Sequence, residues 1–388
     1  MIEKNSIRGP IVALTAAIVL TAGSLLLATT EAVATPAVAS ASAANPHHTH
    51  SPAKLARTSD SAKRANALSP AKSADASVSP ATATDSSNVG ANLLRVSTVN
   101  VSTAAQLTSA LAQAQPGDVI TLANGQYVGK FVTSHSGTAA APITLTGSRN
   151  AVLTTGSTGK AYGLHVTGEY WNLTGFTVST AHKGIVLDQA SNSIIDGVEV
   201  GNIGQEGIHV RHNSSHVVVR NSYVHDTGQT SEGYGEGIYI GSSHNNWSTV
   251  MGSATTADQS DFAIVQHNTI SNTAAEGIDV KEGTVGGQLL SNTFNNDAWS
   301  GKNSADSWVD VKGNGYLISG NSGTKTINDG FQVHQLLPGW GERNTFEDNS
   351  SSGLVPGYLV NVGWGATGNI VKCQSSTATR GLSNIACS

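Results

Sequence analysis

The chain has 388 residues, of which 12% are charged and 5% aromatic, with 42 glycines. That mixture is unlike a helical enzyme and suits many short strands joined by tight turns. The formal net charge of -5 argues against nucleic acid as a partner, yet leaves room for an anionic polysaccharide held by a local basic patch.

From the N-terminus, Lys4 and Arg8 make a short basic region before the uncharged apolar run 11–30. Small residues follow, with cleavage sites after Ala34 or Ala43. This predicts a signal peptide over 1–43 and a secreted, extracellular protein. A retained anchor is the competing reading, because the run is long enough to span a bilayer. After cleavage no stable membrane insertion is expected. Residues 44–95 are dominated by Ala, Ser, Thr and Pro with no hydrophobic period, which predicts a disordered linker. His47, His48 and His50 lie within it and read as solvated linker residues.

The folded region is expected over 96–388. It opens with an amphipathic helix over 102–115, Leu107 and Leu111 on one face, stopped by Pro116-Gly117-Asp118. Such a helix caps the open end of a strand stack. The segment Val119-Ile120-Thr121-Leu122 then reads as a strand.

Beyond Tyr162 the sequence repeats: Gly163-Leu-His-Val, Gly184-Ile-Val-Leu, Gly207-Ile-His-Val, Gly237-Ile-Tyr-Ile and Gly277-Ile-Asp-Val. Trp308-Val-Asp-Val, Gly330-Phe-Gln-Val and Gly357-Tyr-Leu-Val continue the series. Asn-rich turns at Asn221, Asn268, Asn292 and Asn321 lie between them and predict side-chain ladders. The shortest spacing, about 21 to 23 residues, is one coil of a three-sided solenoid. The fold predicted is therefore all-β, a right-handed parallel β-helix with an N-terminal capping helix. Longer gaps after 207, 237 and 277 are insertions, which in solenoids cluster on the binding face. Near the end, Cys373 and Cys387 are expected to form one disulfide in an exported protein.

Equivalent positions stack one rung apart, about 4.8 Å. The first outward column reads His165, Val186, His209, Tyr239, Asp279, Asp310, Gln332, Leu359. The second reads Thr167, Asp188, Arg211, Gly241, Lys281, Lys312, His334, Asn361. Just before the strands stand Lys183, Glu206, Glu236, Glu276, Ser307 and Asp329. Charge thus gathers on one face of the middle coils. Stacked carboxylates need a cation or a basic side chain between them, and Ca²⁺ with Glu236, Glu276, Asp279 and Asp310 would supply it. Stacking Lys281 on Lys312 should lower a lysine pKa and make a base. A solvated Asp–Lys lattice is the plainer alternative.

These residue types suit β-elimination from an acidic sugar. Neutralising the uronate carboxylate acidifies the C5 proton, which a neutral Lys, His or Arg can take as the 4-linked oxygen departs. A hydrolase would centre on paired carboxylates without lysines. A C5-epimerase would share the proton abstraction, and a carbohydrate-binding surface protein would use the face without chemistry. His334 is a further acid/base candidate, with Arg211, His209 and Tyr239 as substrate-binding residues. Trp299, Trp340 and Trp364 are candidate sugar-stacking platforms, Trp340 foremost.

With those motifs in place the sequence resembles the right-handed β-helix polysaccharide lyases, particularly the chondroitinase B and alginate lyase family. The likeness rests on Leu107 to Tyr127, with Pro116-Gly117-Asp118, and on Glu276-Gly-Ile-Asp-Val-Lys281, Asn292-Thr-Phe and Val309-Asp-Val-Lys312. It implies Glu276 as a Ca²⁺ ligand, Lys281 as the catalytic base and Lys312 at a position the family fills with Arg. Ala274 stands where that family has a second acidic ligand, 296–306 is an insertion, and the family's Arg-His-Gly ending is absent. The expectation is a monomer that acts on an acidic polysaccharide.

Overall fold

The computed structural model describes residues 96–388; the signal-peptide and linker expectations lie outside the described residues. Three parallel sheets run the length of the molecule, of eleven, nine and nine strands, and each strand pairs with its equivalent one coil away. Among the described residues no helix is long and apolar enough to cross a membrane.

Short alternating strands explain the coil. In Ile278–Val280 or Val218–Arg220 every second side chain points into the bore, and the inward Ile, Val, Leu and Phe residues form one continuous buried column. The cap helix spans Ala104–Gln113, shorter than predicted, because Thr103 and Gln106 close a capping box and Ala114 leaves helical geometry. Leu107 and Leu111 are buried, as the periodicity requires.

The nine-stranded sheet that carries the Gly-Ile-x-Val repeats contains Phe131–Thr133, Tyr162–Val166, Lys183–Asp188, Ile208–Arg211, Ile238–Ile240, Ile278–Val280, Ser307–Val311, Asp329–Val333 and Val360–Val362. Its register places His209, Tyr239, Asp279, Asp310 and Gln332 in one column. The last coil departs from expectation: Asn361, not Leu359, lies opposite Gln332. Leu359 instead aligns with the glycine position, where its carbonyl accepts from the Phe331 amide.

Glycine precedes these strands because the next coil passes too close for a side chain. A Cβ at Gly237 would lie 2.6 Å from the Gly277 carbonyl. Trp308 breaks the pattern, and Gly323 and Gly330 make room for its indole.

The asparagine ladder forms at one turn. Asn268 Nδ2 donates to Asn292 Oδ1, Asn292 to Asn321 and Asn321 to Asn349, each at 3.0 Å. Asn221 is not part of it: Ser222 holds the equivalent position and Asn221 takes the preceding left-handed one, φ 52°. Cys373 and Cys387 are disulfide-bonded.

Candidate active site

Outward side chains of the middle coils form the floor of a cavity of about 800 Å³. The insertions wall it, as solenoid architecture predicts. One wall combines Gly233 and Tyr234 with Asn303 and Ser304, tied by an Asn303 Nδ2–Gly233 O hydrogen bond (2.6 Å) and a Lys302–Glu232 ion pair (2.9 Å). The other is the segment Ser242 to Val250. Two buried carboxylates fasten it. Asp258 accepts from the His212 and Asn213 amides and from the Ser242 and Ser260 hydroxyls, while Glu282 accepts from the His244 amide at 2.6 Å. Trp247 is buried beneath it.

At the centre Asp279 is nearly inaccessible and receives two ammonium groups, Lys281 Nζ at 2.6 Å and Lys312 Nζ at 2.7 Å. Lys312 also reaches Asp310 at 2.6 Å, and His334 Nδ1 meets Asp310 at 2.8 Å. The predicted Asp279–Asp310 stack is real, but a lysine bridges it. Asp310 is thereby engaged by Lys312 and His334 and stands apart from the metal-type cluster expected of it.

That cluster is Glu236, Glu276 and Asp279, whose ligand oxygens lie within 4.8 Å of one another. Ala274, at the position of the family's second acidic ligand, is buried and offers no ligand atom. Glu236 Oε2 is buried and lacks a hydrogen-bond partner. Burial, then the nearby Glu206 and Asp279 carboxylates, raise the Glu236 carboxyl well above its usual range. Burial and Asp279 push Glu276 up to about 7. An all-oxygen donor set with an orphaned carboxylate oxygen fits a hard divalent cation such as Ca²⁺.

The lysines behave differently from the sequence expectation. Burial alone would lower them, but Asp279 outweighs it and holds both Lys281 and Lys312 above the usual lysine range. Like-charge stacking loses to a carboxylate placed between the two ammonium groups. Burial would also raise Asp310, yet Lys312 and His334 hold it low, and Asp310 in turn raises His334.

Upstream, Lys183 pairs with Glu206, and Arg211 is clasped by Asp188 at 2.7 and 3.2 Å. His209 Nε2 contacts the Gly241 carbonyl at 3.0 Å; burial, helped by Lys183 and Arg211, keeps its imidazole neutral-leaning, well below its usual pKa. Tyr239 stands between these ends, its ring 4.4 Å from His209 and 4.9 Å from Lys281 Nζ. Burial and then Asp279 hold its phenol well above the usual tyrosine range, and so protonated.

Thus Lys281, Lys312, His334, His209, Arg211, Tyr239, Glu236, Glu276, Asp279 and Asp310 all line one cavity, and Trp340 does not. Trp340 sits half-buried in the loop after His334, whose turn toward Lys312 carries it off the floor. Sequence reading missed Tyr234, Asn245, Asn246 and Asn303, because insertions carry no repeat by which to align them. Their lengths were the available signal.

A coiled parallel solenoid with a cleft of alternating acids and bases defines a carbohydrate-active class. The chain matches a family model described as "Pel9A-like, right handed beta helix region" over residues 94–249, which supplies the handedness. Alginate lyase from Paenibacillus sp. str. FPU-7 is 41% identical with a TM-score of 0.69, over 74% of this chain and 97% of that one. Pectate lyase Pel9A (15% identity, TM-score 0.52, 76% and 80% covered) shares the fold. So does lacto-N-biosidase from Eubacterium ramulus (11%, 0.53, 72% and 60%). No curated protein matches the chain in sequence. The chain belongs to the right-handed β-helix polysaccharide lyases, in the family of the Paenibacillus alginate lyase.

Proposed function

We propose that the protein is a secreted lyase that cleaves a uronic-acid-containing polysaccharide by β-elimination, with alginate the first substrate to test. The observation that carries this reading is the central lattice, where Lys281, Lys312 and Tyr239 face the same cavity as three clustered carboxylates. The 41% identity to an alginate lyase supports it.

Glu236, Glu276 and Asp279 would hold Ca²⁺, which when bound neutralises the uronate carboxylate and so acidifies the C5 proton. Without a cation, Glu236 and Glu276 hold their protons above the usual carboxyl range, and a divalent cation seated among the three carboxylates would displace them. Lys281, in its deprotonated form, is the proposed base, and Lys312 fixes Asp279 beside it. Tyr239, kept protonated, lies within reach of the same sugar and suits proton delivery to the departing 4-oxygen. Arg211 and His209 bind upstream sugar units, and His334 is a second proton carrier at the downstream end.

The test is a panel of alginate, pectate, glucuronan and chondroitin or dermatan sulfate, with Ca²⁺ or EDTA, followed by ultraviolet absorbance of unsaturated ends. Absorbance that rises and falls with EDTA supports the reading. Reducing ends without absorbance would establish a hydrolase instead, and solvent deuterium uptake without cleavage an epimerase. Because Asp279 holds Lys281 charged, a Lys281 base predicts kcat rising with pH through the alkaline range. A kcat that falls there assigns Lys281 the acid role.

A further inference from the structure

Past His334 the cleft floor changes character. Strand Val360–Val362 adds another rung, so Gly363 follows His334 in the outward column. The Gly363 amide donates to the Val333 carbonyl at 2.8 Å, and a Cβ there would come within 3.3 Å of the His334 ring. Beside this end, outside the cavity lining, the stacked side chains Gln332 and Asn361 are neutral amides, both donating to the buried Asp329 at 2.9 and 2.8 Å.

The next residue, Trp364, is 99% exposed, whereas Trp171, Trp247 and Trp308 are buried. Gly365 follows with φ 88°, a left-handed turn that only glycine adopts freely, and packs on the Gln335 side chain. The indole therefore stands in solvent between two glycines, each of which backs onto the segment that ends the cavity. Leu336, exposed and part of the cavity lining, continues the apolar surface from that segment. An indole so placed adds nothing to the core, and its flat face matches the apolar C–H face of a pyranose ring.

We propose that Trp364 is a sugar-stacking subsite at the downstream end of the cleft, occupied by the polysaccharide emerging past His334. This rests on the cleft being the polysaccharide site. At the upstream end Lys183 and Arg211 are paired with Glu206 and Asp188, so that end is a charged lattice; the Trp364 end reads the ring face and accepts a sugar whether or not its carboxylate is free.

Trp364→Ala and Trp364→Phe, assayed on long polymer and on the shortest oligosaccharide the wild type cleaves, test the idea. Trp364→Ala should raise KM for polymer about threefold to tenfold with kcat unchanged, while the shortest substrate is unaffected. Trp364→Phe should stay within about twofold of wild type. An unchanged polymer KM in Trp364→Ala overturns the proposal. So does a change from dimer to monomer in light scattering with KM unmoved, which would make a second copy the occupant. If the wild type cleaves no polymer on the panel, the lyase reading fails by itself. Tryptophan fluorescence quenching by alginate then decides the subsite: quenching lost in Trp364→Ala supports it, and identical titrations reject it.

Discussion

Two stacks run side by side along this molecule, built by the same device and opposite in energetics. The turn stack Asn268–Asn292–Asn321–Asn349 puts one amide on each coil, and every amide both donates and accepts. The face stack Glu206–Glu236–Glu276 puts one carboxylate on each coil, its backbone linked through the Gly207 and Gly237 amides. Ionised carboxylates only accept and cannot satisfy one another, so Glu236 and Glu276 hold their protons above the usual carboxyl range. Lys183 relieves Glu206, while Glu236 Oε2 remains unpartnered. A solenoid thus stabilises stacked amides freely and stacks carboxyls only at a cost, where function uses them.

The sharpest break of this contrast is Lys281→Ala. It should lower kcat by about 10² to 10⁴-fold, the usual range for a positioned proton carrier, with circular dichroism unchanged. Activity within tenfold of wild type places the proton chemistry elsewhere. Asn292→Ala should do the reverse. It strands donors and acceptors on Asn268, Asn321 and the Val265 carbonyl, costing about 2 to 4 kcal/mol in urea unfolding, with kcat retained by the folded fraction.

Glu236→Gln should stabilise by about 1 kcal/mol, because it removes a buried carboxyl whose charged form is disfavoured by burial and by the Glu206 and Asp279 carboxylates and whose Oε2 lacks a partner. The same change should weaken Ca²⁺ stimulation. A thermal midpoint that falls would show that Glu236 has a partner in solution.

The smallest effect is on pH dependence. Glu276, raised to about 7, binds more protons folded than unfolded between the ordinary Glu value and 7. Its contribution is therefore fully present at low pH and is lost as pH rises through 7. Glu276→Gln should flatten that part of the Tm–pH curve, and Ca²⁺ should raise the wild-type Tm more at pH 8 than at pH 5. A curve of the same slope in the variant assigns the titration to another group.

Much of the site was readable because the repeat is a ruler. Once Gly207, Gly237 and Gly277 are aligned, Tyr239, Asp279 and Lys281 fall into neighbouring places, and the structure puts them there. The ruler failed where its marks were missing. Gly357 looked like another repeat glycine, but the coil is offset by two and Asn361 takes the column. Asn221 looked like a ladder residue, yet a shift of one residue separates a ladder amide from a left-handed turn position.

The sequence alone determined the coil, the capping helix, the disulfide partners and the face on which charge gathers, since all of these follow from spacing along the chain. Tertiary structure decided what the charges do to one another. Whether Lys281 stacked on Lys312 is lowered or raised depends on where the Asp279 oxygens point, within 3 Å of both ammonium groups. Which tryptophan stands in solvent depends likewise on how the last loops turn, which left Trp364 exposed and Trp340 half-buried, both outside the cavity lining. Spacing fixes the rung on which a residue sits, but side-chain direction and local dielectric are set only when the coils close on one another.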